Sequence, residues 1–307
     1  MAFVRAFGSY LPSRVVSNQE LAARVGCDPG WILSVSGILE RRWADESESV
    51  VDLAANAGGD ALLRARMSAD EIGMVIVSSG SAERRFPGPA AETAARLGAS
   101  GVPALDVPIA SAGSLFGMAI AAQLAPVCGP VLLIAAEKMS PVAGSDRNTA
   151  ILFGDGAGAC IVHPSAGLAE IAESALHSDG AFSGALKLEF HGPVHMDGGA
   201  VIMHAIRKVP AAIRELLDHA GRAPQSIAAF LMHQANQNLI LKIAKALDVP
   251  PEKFYSNIER YGNTSSASLL IAASEWSAAG GFRPGEAVVF AAFGAGFHWG
   301  ALLAIGC

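Results

Sequence analysis

Charged residues are scarce in this sequence. Only 16% of the 307 residues are Asp, Glu, Lys or Arg, whereas 51% are hydrophobic. A chain of this composition has much apolar surface to bury, so we expect a large core and a subunit interface. The basic residues form no run longer than a pair, and the net charge is −6. Both features argue against a nucleic-acid partner.

Cysteine is also scarce. The four residues, Cys27, Cys128, Cys160 and Cys307, are scattered and include no CxxC pair. This argues against a metal cluster or a disulfide framework and is typical of a reducing cytoplasm. The first residues lack the apolar core and cleavage site of a signal peptide. We therefore predict a cytoplasmic protein without a bound metal.

One segment, residues 287–307, has the apolar character of a membrane span, since His298 is its only strongly polar residue. Its four glycines and its aromatic residues fit two buried strands joined by a glycine turn better than a lipid-facing helix. We predict that no part of the chain crosses a membrane.

Strands that are almost entirely apolar alternate with helices along the chain, which predicts an α/β fold whose sheet is covered on both faces. The second half also repeats the order of the first: the helix, turn and strand at residues 53–77 are matched at residues 201–232. We predict two similar halves, residues 1–165 and 166–307, that form one compact unit. The functional loops should lie on the pseudo-twofold axis between them.

The stretch on which the first half centres is residues 104–121, ALDVPIASAGSLFGMAIA. It predicts a buried strand at 104–109, a tight turn around Ser111, and a helix that begins near Ser114. The first N–H groups of that helix would point towards the Ser111 hydroxyl. This geometry suits a nucleophile, as in other strand–turn–helix elbows. The alternative is that Ser111 only caps the helix.

Two polar residues occupy the corresponding turns of the second half. His233 directly follows an apolar strand, and Asn263 lies between small residues that allow a ligand to approach the backbone. A hydroxyl nucleophile, a histidine that moves protons and an amide that donates to a developing negative charge form a set suited to acyl transfer.

These stretches resemble the β-ketoacyl-acyl-carrier-protein synthase III family of thiolase-fold condensing enzymes. The resemblance extends from about Phe3 to the C-terminus. Its motifs are Gly8-Ser9-Tyr10-Leu11-Pro12, Trp31-Ile32, Ser36-Gly37-Ile38, Asp106-Val107, Ala110-Ser111-Ala112-Gly113, residues 153–158, His233-Gln234-Ala235-Asn236, Gly262-Asn263-Thr264-Ser265 and residues 293–300. It implies a five-layered αβαβα thiolase fold built from two pseudo-symmetric halves, and a homodimer.

The resemblance also implies an activity. The protein would be an acyltransferase that accepts an acyl group from acyl-CoA or an acyl carrier protein and condenses it with a malonyl thioester, in fatty-acid or polyketide-type synthesis. It implies no resident cofactor, because CoA or phosphopantetheine carries the substrate. The family's histidine and asparagine match His233 and Asn263, which would stabilise the enolate, and the oxyanion-hole donors match the N–H groups of Ser111 and Ala295.

The substrate-binding residues of the family also have counterparts in this chain. They are Trp31 and Arg147 around the CoA adenine, Gly198 and Asn236 along the pantetheine arm, Phe153 and Phe293 in the substrate pocket, and Phe86, which would cross the dimer to line the partner's acyl pocket.

The chain departs from the family at the nucleophile, because Ser111 stands where the family has a cysteine. A hydroxyl needs a positioned base, and an acyl-serine is a poorer electrophile than a thioester. Ser111 is thus the natural residue of a divergent branch, an engineered substitution that traps a substrate, or the mark of a chain that binds acyl groups without condensing them. The alternatives to condensation are acyl transfer to an alcohol, an amine or water, and a non-catalytic partner subunit that binds acyl carriers.

A second departure concerns the cationic positions that usually meet CoA phosphates or the carrier protein. Val35 and Asn238 stand where the family has arginines, and Met203 stands where a lysine is common. Losing several charged hydrogen bonds should weaken CoA binding. Lys242 and Lys245 remain, so we expect a carrier protein, more than CoA, to be the donor.

Overall fold

The computed structural model describes residues 1–307. Fourteen strands alternate with ten α-helices. The strands are β1 (Phe3–Tyr10), β2 (Arg14–Ser17), β3 (Glu40–Trp43), β4 (Met74–Ser78), β5 (Ala104–Val107), β6 (Val131–Glu137), β7 (Gly156–His163), β8 (Ala169–Ser178), β9 (Leu186–Lys187), β10 (His195–Met196), β11 (Ala229–Met232), β12 (Phe254–Tyr255), β13 (Ala287–Gly294) and β14 (His298–Gly306). The helices are α1 (Asn18–Val25), α2 (Pro29–Ser36), α3 (Val50–Ala65), α4 (Pro89–Arg96), α5 (Gly113–Cys128), α6 (Arg147–Ala150), α7 (Gly198–His219), α8 (Gln237–Leu247), α9 (Ile258–Tyr261) and α10 (Ala267–Ala278).

The main sheet has ten strands in the order β12-β11-β13-β14-β8-β1-β7-β6-β4-β5. It consists of two five-stranded parts. One contains β1, β7, β6, β4 and β5, and the other contains β8, β14, β13, β11 and β12. The two parts are joined where Phe3 and Val4 of β1 pair with β8. Each part combines parallel and antiparallel pairs, and β11 in one part runs parallel to its neighbours as β4 does in the other.

Three separate cores show that the helices form three layers around these two sheet parts. α3 and α4 bury their small residues against β4, β6 and β7. α5 and α10 lie in the middle, in a core of 27 buried residues that draws on both halves of the chain. α7 and α8 cover β11, β13 and β14 on the far side. The five-layered αβαβα arrangement that the sequence predicts is therefore present.

Small residues let α3 lie close to the sheet. Ser49 caps the helix in a reciprocal capping box with Asp52, and alanines and a glycine form the buried face. A Cβ at Gly8 of β1 would lie 2.3 Å from the backbone nitrogen of Ala61. The backbones of strand and helix thus touch directly, which only glycine at position 8 permits.

The predicted elements are confirmed with small shifts at their ends, including the two strands at residues 287–307, which are β13 and β14. The prediction that the strand before Ser111 is buried is wrong: Ala104, Leu105 and Asp106 are exposed, because β5 is the terminal strand of the sheet. The sequence reading missed β8, whose residues AEIAESALHS are good helix formers. Pairing with β14 along nine residues outweighs that local preference, as tertiary context often does. None of the ten helices combines the length and apolar character that crossing a membrane requires.

Candidate active site

A cavity of about 130 Å³ opens where the loops after β4, β5, β11 and β13 meet the N-terminal parts of α7 and α8. Of its 27 lining residues, 19 are hydrophobic, so the cavity suits a largely apolar ligand. It brings together eight of the residues that the sequence predicts for the site: Ser111, His233, Asn263, Ala295, Gly198, Asn236, Phe153 and Phe293.

Ser111 occupies the turn between β5 and α5 with a backbone φ of 64°. This left-handed conformation costs a non-glycine residue about 1–2 kcal/mol and is concentrated at functional sites. The N-cap of α5 is Ala112, and no side chain caps the helix. The alternative that Ser111 only caps the helix is therefore wrong. Its position in a strained elbow that lines the cavity is what a nucleophile requires.

The end of β13 packs against this elbow. A Cβ at Gly294 would lie 2.2 Å from the carbonyl oxygen of Ala110, 2.7 Å from the nitrogen of Ala112 and 3.0 Å from Cβ of Ser111. The elbow can therefore hold its shape only if residue 294 lacks a side chain.

His233 follows β11 and is almost fully buried. Its Nδ1 lies 2.7 Å from the Ser268 hydroxyl, which also accepts the N–H of Gln234 at 3.0 Å. Burial lowers the pKa of His233 to about 4, although a hydrogen bond to the Ser265 backbone opposes this. The imidazole is therefore neutral at pH 7. Because the Ser268 hydroxyl can donate to Nδ1 or accept from it, Nε2 can either take a proton or donate one.

Lowering the pH should destabilise the protein through His233. The unfolded chain protonates this imidazole below pH 6.5, whereas the folded chain does so only near pH 4, so the unfolded state binds more protons in between. At about 1.4 kcal/mol for each pKa unit, the free energy of unfolding should fall by about 3 kcal/mol between pH 6.5 and 4. Denaturant titrations at several pH values, on the wild type and on His233→Gln, would isolate this contribution. Parallel pH curves for the two proteins would contradict it.

Asn263 is fixed through its backbone and one side of its amide. Its N–H donates to the Leu152 carbonyl at 2.8 Å, and its carbonyl accepts the N–H of Gly154 at 3.1 Å. The side-chain Oδ1 accepts the N–H of Ser265 at 2.9 Å. Since Oδ1 is held in this way, Nδ2 is left as a donor at the cavity wall, beside Phe153, which forms a parallel bridge with Asn263.

The two N–H groups expected in the oxyanion hole belong to residues that line the cavity, Ser111 and Ala295. The N–H of Ser111 donates to the hydroxyl of Ser265 at 3.1 Å. Sequence reasoning missed Ser265 and Ser268 as parts of the site. The signal available was their place in the polar run that begins at Asn263, but a run of serines at a helix start is usually read as capping.

The residues expected around CoA fall into two groups. The Arg147 guanidinium is 5.3 Å from the centre of the Trp31 ring, and neither residue lines the cavity. Asn236, which lines the cavity, caps α8 through its Oδ1 and donates from Nδ2 to the Val35 carbonyl at 2.8 Å. Gly198, at the start of α7, also lines the cavity.

Three positions at which the resemblance implies cations hold other residues. Two of them are the apolar Val35 and Met203, and the third is Asn238. Asn238 donates to the carbonyl of Ser34 at 3.0 Å and to that of Val35 at 3.2 Å, so its amide ties α8 to α2. Val35 is 36% and Met203 48% exposed. No arginine or lysine occupies these three positions.

Phe86 lies apart from the cavity of its own chain and is 85% exposed. Its expected role in a partner subunit's pocket stays a prediction.

The family model described as 3-oxoacyl-[acyl-carrier-protein (ACP)] synthase III matches residues 105–180, and the model of the C-terminal part of that family matches residues 217–304. The β-ketoacyl-[acyl-carrier-protein] synthase III of Oleidesulfovibrio alaskensis is 35% identical, and the alignment covers 98% of each chain. The enzyme of the same name from Aquifex aeolicus is 36% identical, with 96% of each chain covered.

Solved structures agree with these matches. The crystal structure of 3-oxoacyl-[acyl-carrier-protein] synthase III from Aquifex aeolicus VF5 superposes with a TM-score of 0.96 at 34% identity, covering 99% of this chain and 100% of that one. The priming β-ketosynthase of the R1128 polyketide biosynthetic pathway superposes with a TM-score of 0.93 at 32% identity, covering 100% of this chain and 96% of that one.

Proposed function

The chain belongs to the 3-oxoacyl-[acyl-carrier-protein] synthase III family of thiolase-fold acyltransferases, and on this premise we propose that it condenses an acyl group with a malonyl thioester through an acyl-Ser111 intermediate. The observation that carries the proposal is the convergence of the Ser111 elbow, the neutral His233 and the Asn263 amide on one apolar cavity. The reaction needs no resident cofactor, because the thioester brings its own CoA or phosphopantetheine carrier. A cytoplasmic location, inferred from the cysteine usage of the sequence, is part of the proposal.

In the first step, Oγ of Ser111 attacks the thioester carbonyl. Nε2 of His233 takes the hydroxyl proton, and the N–H groups of Ser111 and Ala295 donate to the oxyanion. When the carbon–sulfur bond breaks, the departing thiolate receives that proton from His233. The products are an acyl-serine ester and the free thiol carrier, and His233 is neutral again.

In the second step, a malonyl thioester occupies the same cavity and its carbon–carbon bond breaks to release carbon dioxide. The enolate that forms carries its charge on the thioester oxygen, where Nδ2 of Asn263 and an Nε2–H of His233 can donate to it. The enolate carbon attacks the acyl-serine carbonyl and forms the new carbon–carbon bond. Oγ of Ser111 leaves and takes up one proton, which gives a 3-oxoacyl thioester.

The test combines intact-mass measurement with product analysis. The protein is incubated with a panel of acyl-CoA and acyl-carrier thioesters, and a malonyl thioester is then added. We expect an acyl mass on the protein, followed by a 3-oxoacyl product and one carbon dioxide per product. A protein that stays unmodified with every donor would overturn the proposal and favour a non-catalytic subunit that binds acyl carriers.

A second candidate function is supported by the oxygen nucleophile itself. An acyl-serine ester is suited to transfer its acyl group to an alcohol, an amine or water, since these acceptors need no carbanion. The same experiment separates the two candidates, because only condensation requires malonate. Loss of the acyl group at equal rates with and without the malonyl thioester would favour this second function.

The acyl donor is proposed to be an acyl carrier protein. Val35 and Met203 are apolar and the Asn238 amide is engaged by carbonyl groups, so three of the positions expected to bind the phosphates of CoA offer no free cation. Lys242 and Lys245 are exposed on the same helix, α8, where they can meet an acidic carrier.

We further propose a homodimer formed at the β5 edge of the sheet. β5 is the terminal strand, its residues Ala104 to Asp106 are exposed, and the nearby Phe86 is 85% exposed. Such an uncovered strand edge is normally paired or protected. Light scattering should give twice the chain mass of 31.5 kDa, and Leu105→Arg on that strand should give the monomer mass. A wild-type monomer at micromolar concentration would contradict this.

A further inference from the structure

A carboxyl group that the proposed reaction does not use is buried behind the nucleophile. Glu137 ends β6 and is completely buried. Burial raises its pKa, and no cation stabilises it. The neighbouring Lys138 side chain turns away and donates to the carbonyls of Asp45, Glu46 and Glu48. A buried carboxyl group without a positive partner is costly, so its presence calls for a role beyond packing.

The partners of Glu137 are hydroxyl and N–H groups from both halves of the chain. Oε2 accepts the Ser81 hydroxyl at 2.5 Å and the N–H of Gly80 at 3.0 Å. Oε1 accepts the hydroxyl and the N–H of Ser266 at 2.6 and 3.3 Å. The group therefore ties the loop after β4 to the segment that precedes α10.

Both of these segments contact the elbow. A Cβ at Gly80 would lie 2.8 Å from Cβ of Ala110, so the loop after β4 supports the residue before Ser111. On the other side, the Ser265 hydroxyl accepts the N–H of Ser111 at 3.1 Å. Ser265 itself has a φ of 47°, and Oδ1 of Asn263 holds its N–H. Ser265 thus links the nucleophile to the Asn263 amide, and its neighbour Ser266 links the same segment to the carboxyl group.

We propose that Glu137 and Ser265 are positioning residues for Ser111: the carboxyl group fixes the segment that contains Ser265 through the hydroxyl and N–H of Ser266, and the Ser265 hydroxyl holds the Ser111 N–H and the left-handed elbow. The N–H of Ser111 is also an expected donor to the oxyanion, so the oxyanion and Oγ of Ser265 would both accept from it. Without this hydrogen bond, the elbow is free to relax towards a negative φ. The hydroxyl and the N–H of Ser111 then turn away from His233 and Ala295.

The experiment rests on the proposed function, because its readout is acylation of Ser111. Single-turnover acylation is measured over a range of thioester concentrations for the wild type, Ser265→Ala, Glu137→Gln and Ser114→Ala. The last variant is the control: it also removes a buried serine hydroxyl close to the nucleophile in the chain, but this hydroxyl has no hydrogen-bond partner. Thermal unfolding of each variant is recorded alongside.

We expect Ser265→Ala to lower the maximal acylation rate about 100-fold and Glu137→Gln about tenfold, since a nucleophile misplaced by an ångström loses rates of this order. The thioester concentration at half-saturation should change less than about threefold, and Ser114→Ala should keep its rate within about twofold. If the two residues had only a structural role, their variants would unfold at a lower temperature, but the maximal acylation rate would not fall while the half-saturating thioester concentration stayed nearly constant.

Three results would overturn the inference. They are a Ser265→Ala rate within twofold of wild type, a wild-type rate in a folded Glu137→Gln, and a Ser114→Ala rate that falls as far as that of Ser265→Ala. If Glu137→Gln does not fold, Ser265→Ala decides. If the wild type itself takes up no acyl group, the proposed function fails instead, and the two failures are thereby distinguished.

Discussion

Ser111→Ala is expected to abolish the acyl-protein and to lower turnover by about 10⁴-fold or more, as loss of a catalytic nucleophile does in other enzymes. The reason is that no other nucleophile is placed to replace it. Cys160 is completely buried, and burial raises the pKa of its thiol to about 12. Intact-mass measurement after incubation with an acyl thioester checks the adduct, and product formation checks the rate.

The chain offers a close control for this variant. Ser114 lies three residues further on, in α5, with a buried hydroxyl that has no hydrogen-bond partner. Ser114→Ala should therefore keep both stability and acylation near the wild-type level. An acyl adduct that persists in Ser111→Ala would show that the nucleophile lies elsewhere.

The complementary variant Ser111→Cys should condense faster than the wild type, by about tenfold or more. A thiol is the better nucleophile near neutral pH, and its thioester is the better electrophile towards a carbanion. A rate below that of the wild type would indicate that the cavity is adapted to an oxygen nucleophile and would favour the transfer of acyl groups to alcohols, amines or water.

Gly294→Ala is expected to damage both stability and acylation strongly. The new Cβ would meet the backbone of Ala110 and Ala112 at 2.2 and 2.7 Å, and backbone atoms in a packed turn cannot move aside as a flexible side chain can. Overpacking of this kind costs up to about 3 kcal/mol, and any relief must shift the elbow. We expect a loss of about 3 kcal/mol in unfolding free energy and about 100-fold in acylation rate.

Gly184→Ala provides the control, since a Cβ at Gly184 has no atom within 4 Å. Denaturant unfolding and single-turnover acylation should give this variant an unfolding free energy and an acylation rate close to those of the wild type. If Gly294→Ala unfolds and reacts as Gly184→Ala does, the close contact between β13 and the elbow is not a constraint on the nucleophile.

Much of the fold could be predicted because the pattern of this sequence is local and regular. The apolar strands and alanine-rich helices are long enough to recognise, and the small residues around Ser111 predict the elbow. His233 and Asn263 could be found because they follow apolar strands or small-residue turns at matching places in the two halves. These features depend on residues within a few positions of one another.

The remaining parts depend on contacts that the sequence does not display. β8 is read as a helix former until its partner β14 is known. Glu137 follows Ala135-Ala136 and precedes Lys138, an order typical of a strand that ends in solvent, yet its partners Ser81 and Ser266 are 56 and 129 positions away along the chain. The φ of Ser265 and its bond to Ser111 are likewise set by packing between the halves.

The composition of the middle core has a consequence for co-translational folding, because α5 is synthesised well before the residues that cover it. α5 is complete by Cys128, but its core neighbours Leu269, Phe290 and Leu302 are synthesised much later. Until they emerge, the nascent chain carries a long apolar helix with one face uncovered. The nucleophile elbow at the start of that helix is held by Ser265 and supported by Gly294, so the chain gains its reactive centre only after β13 has been synthesised.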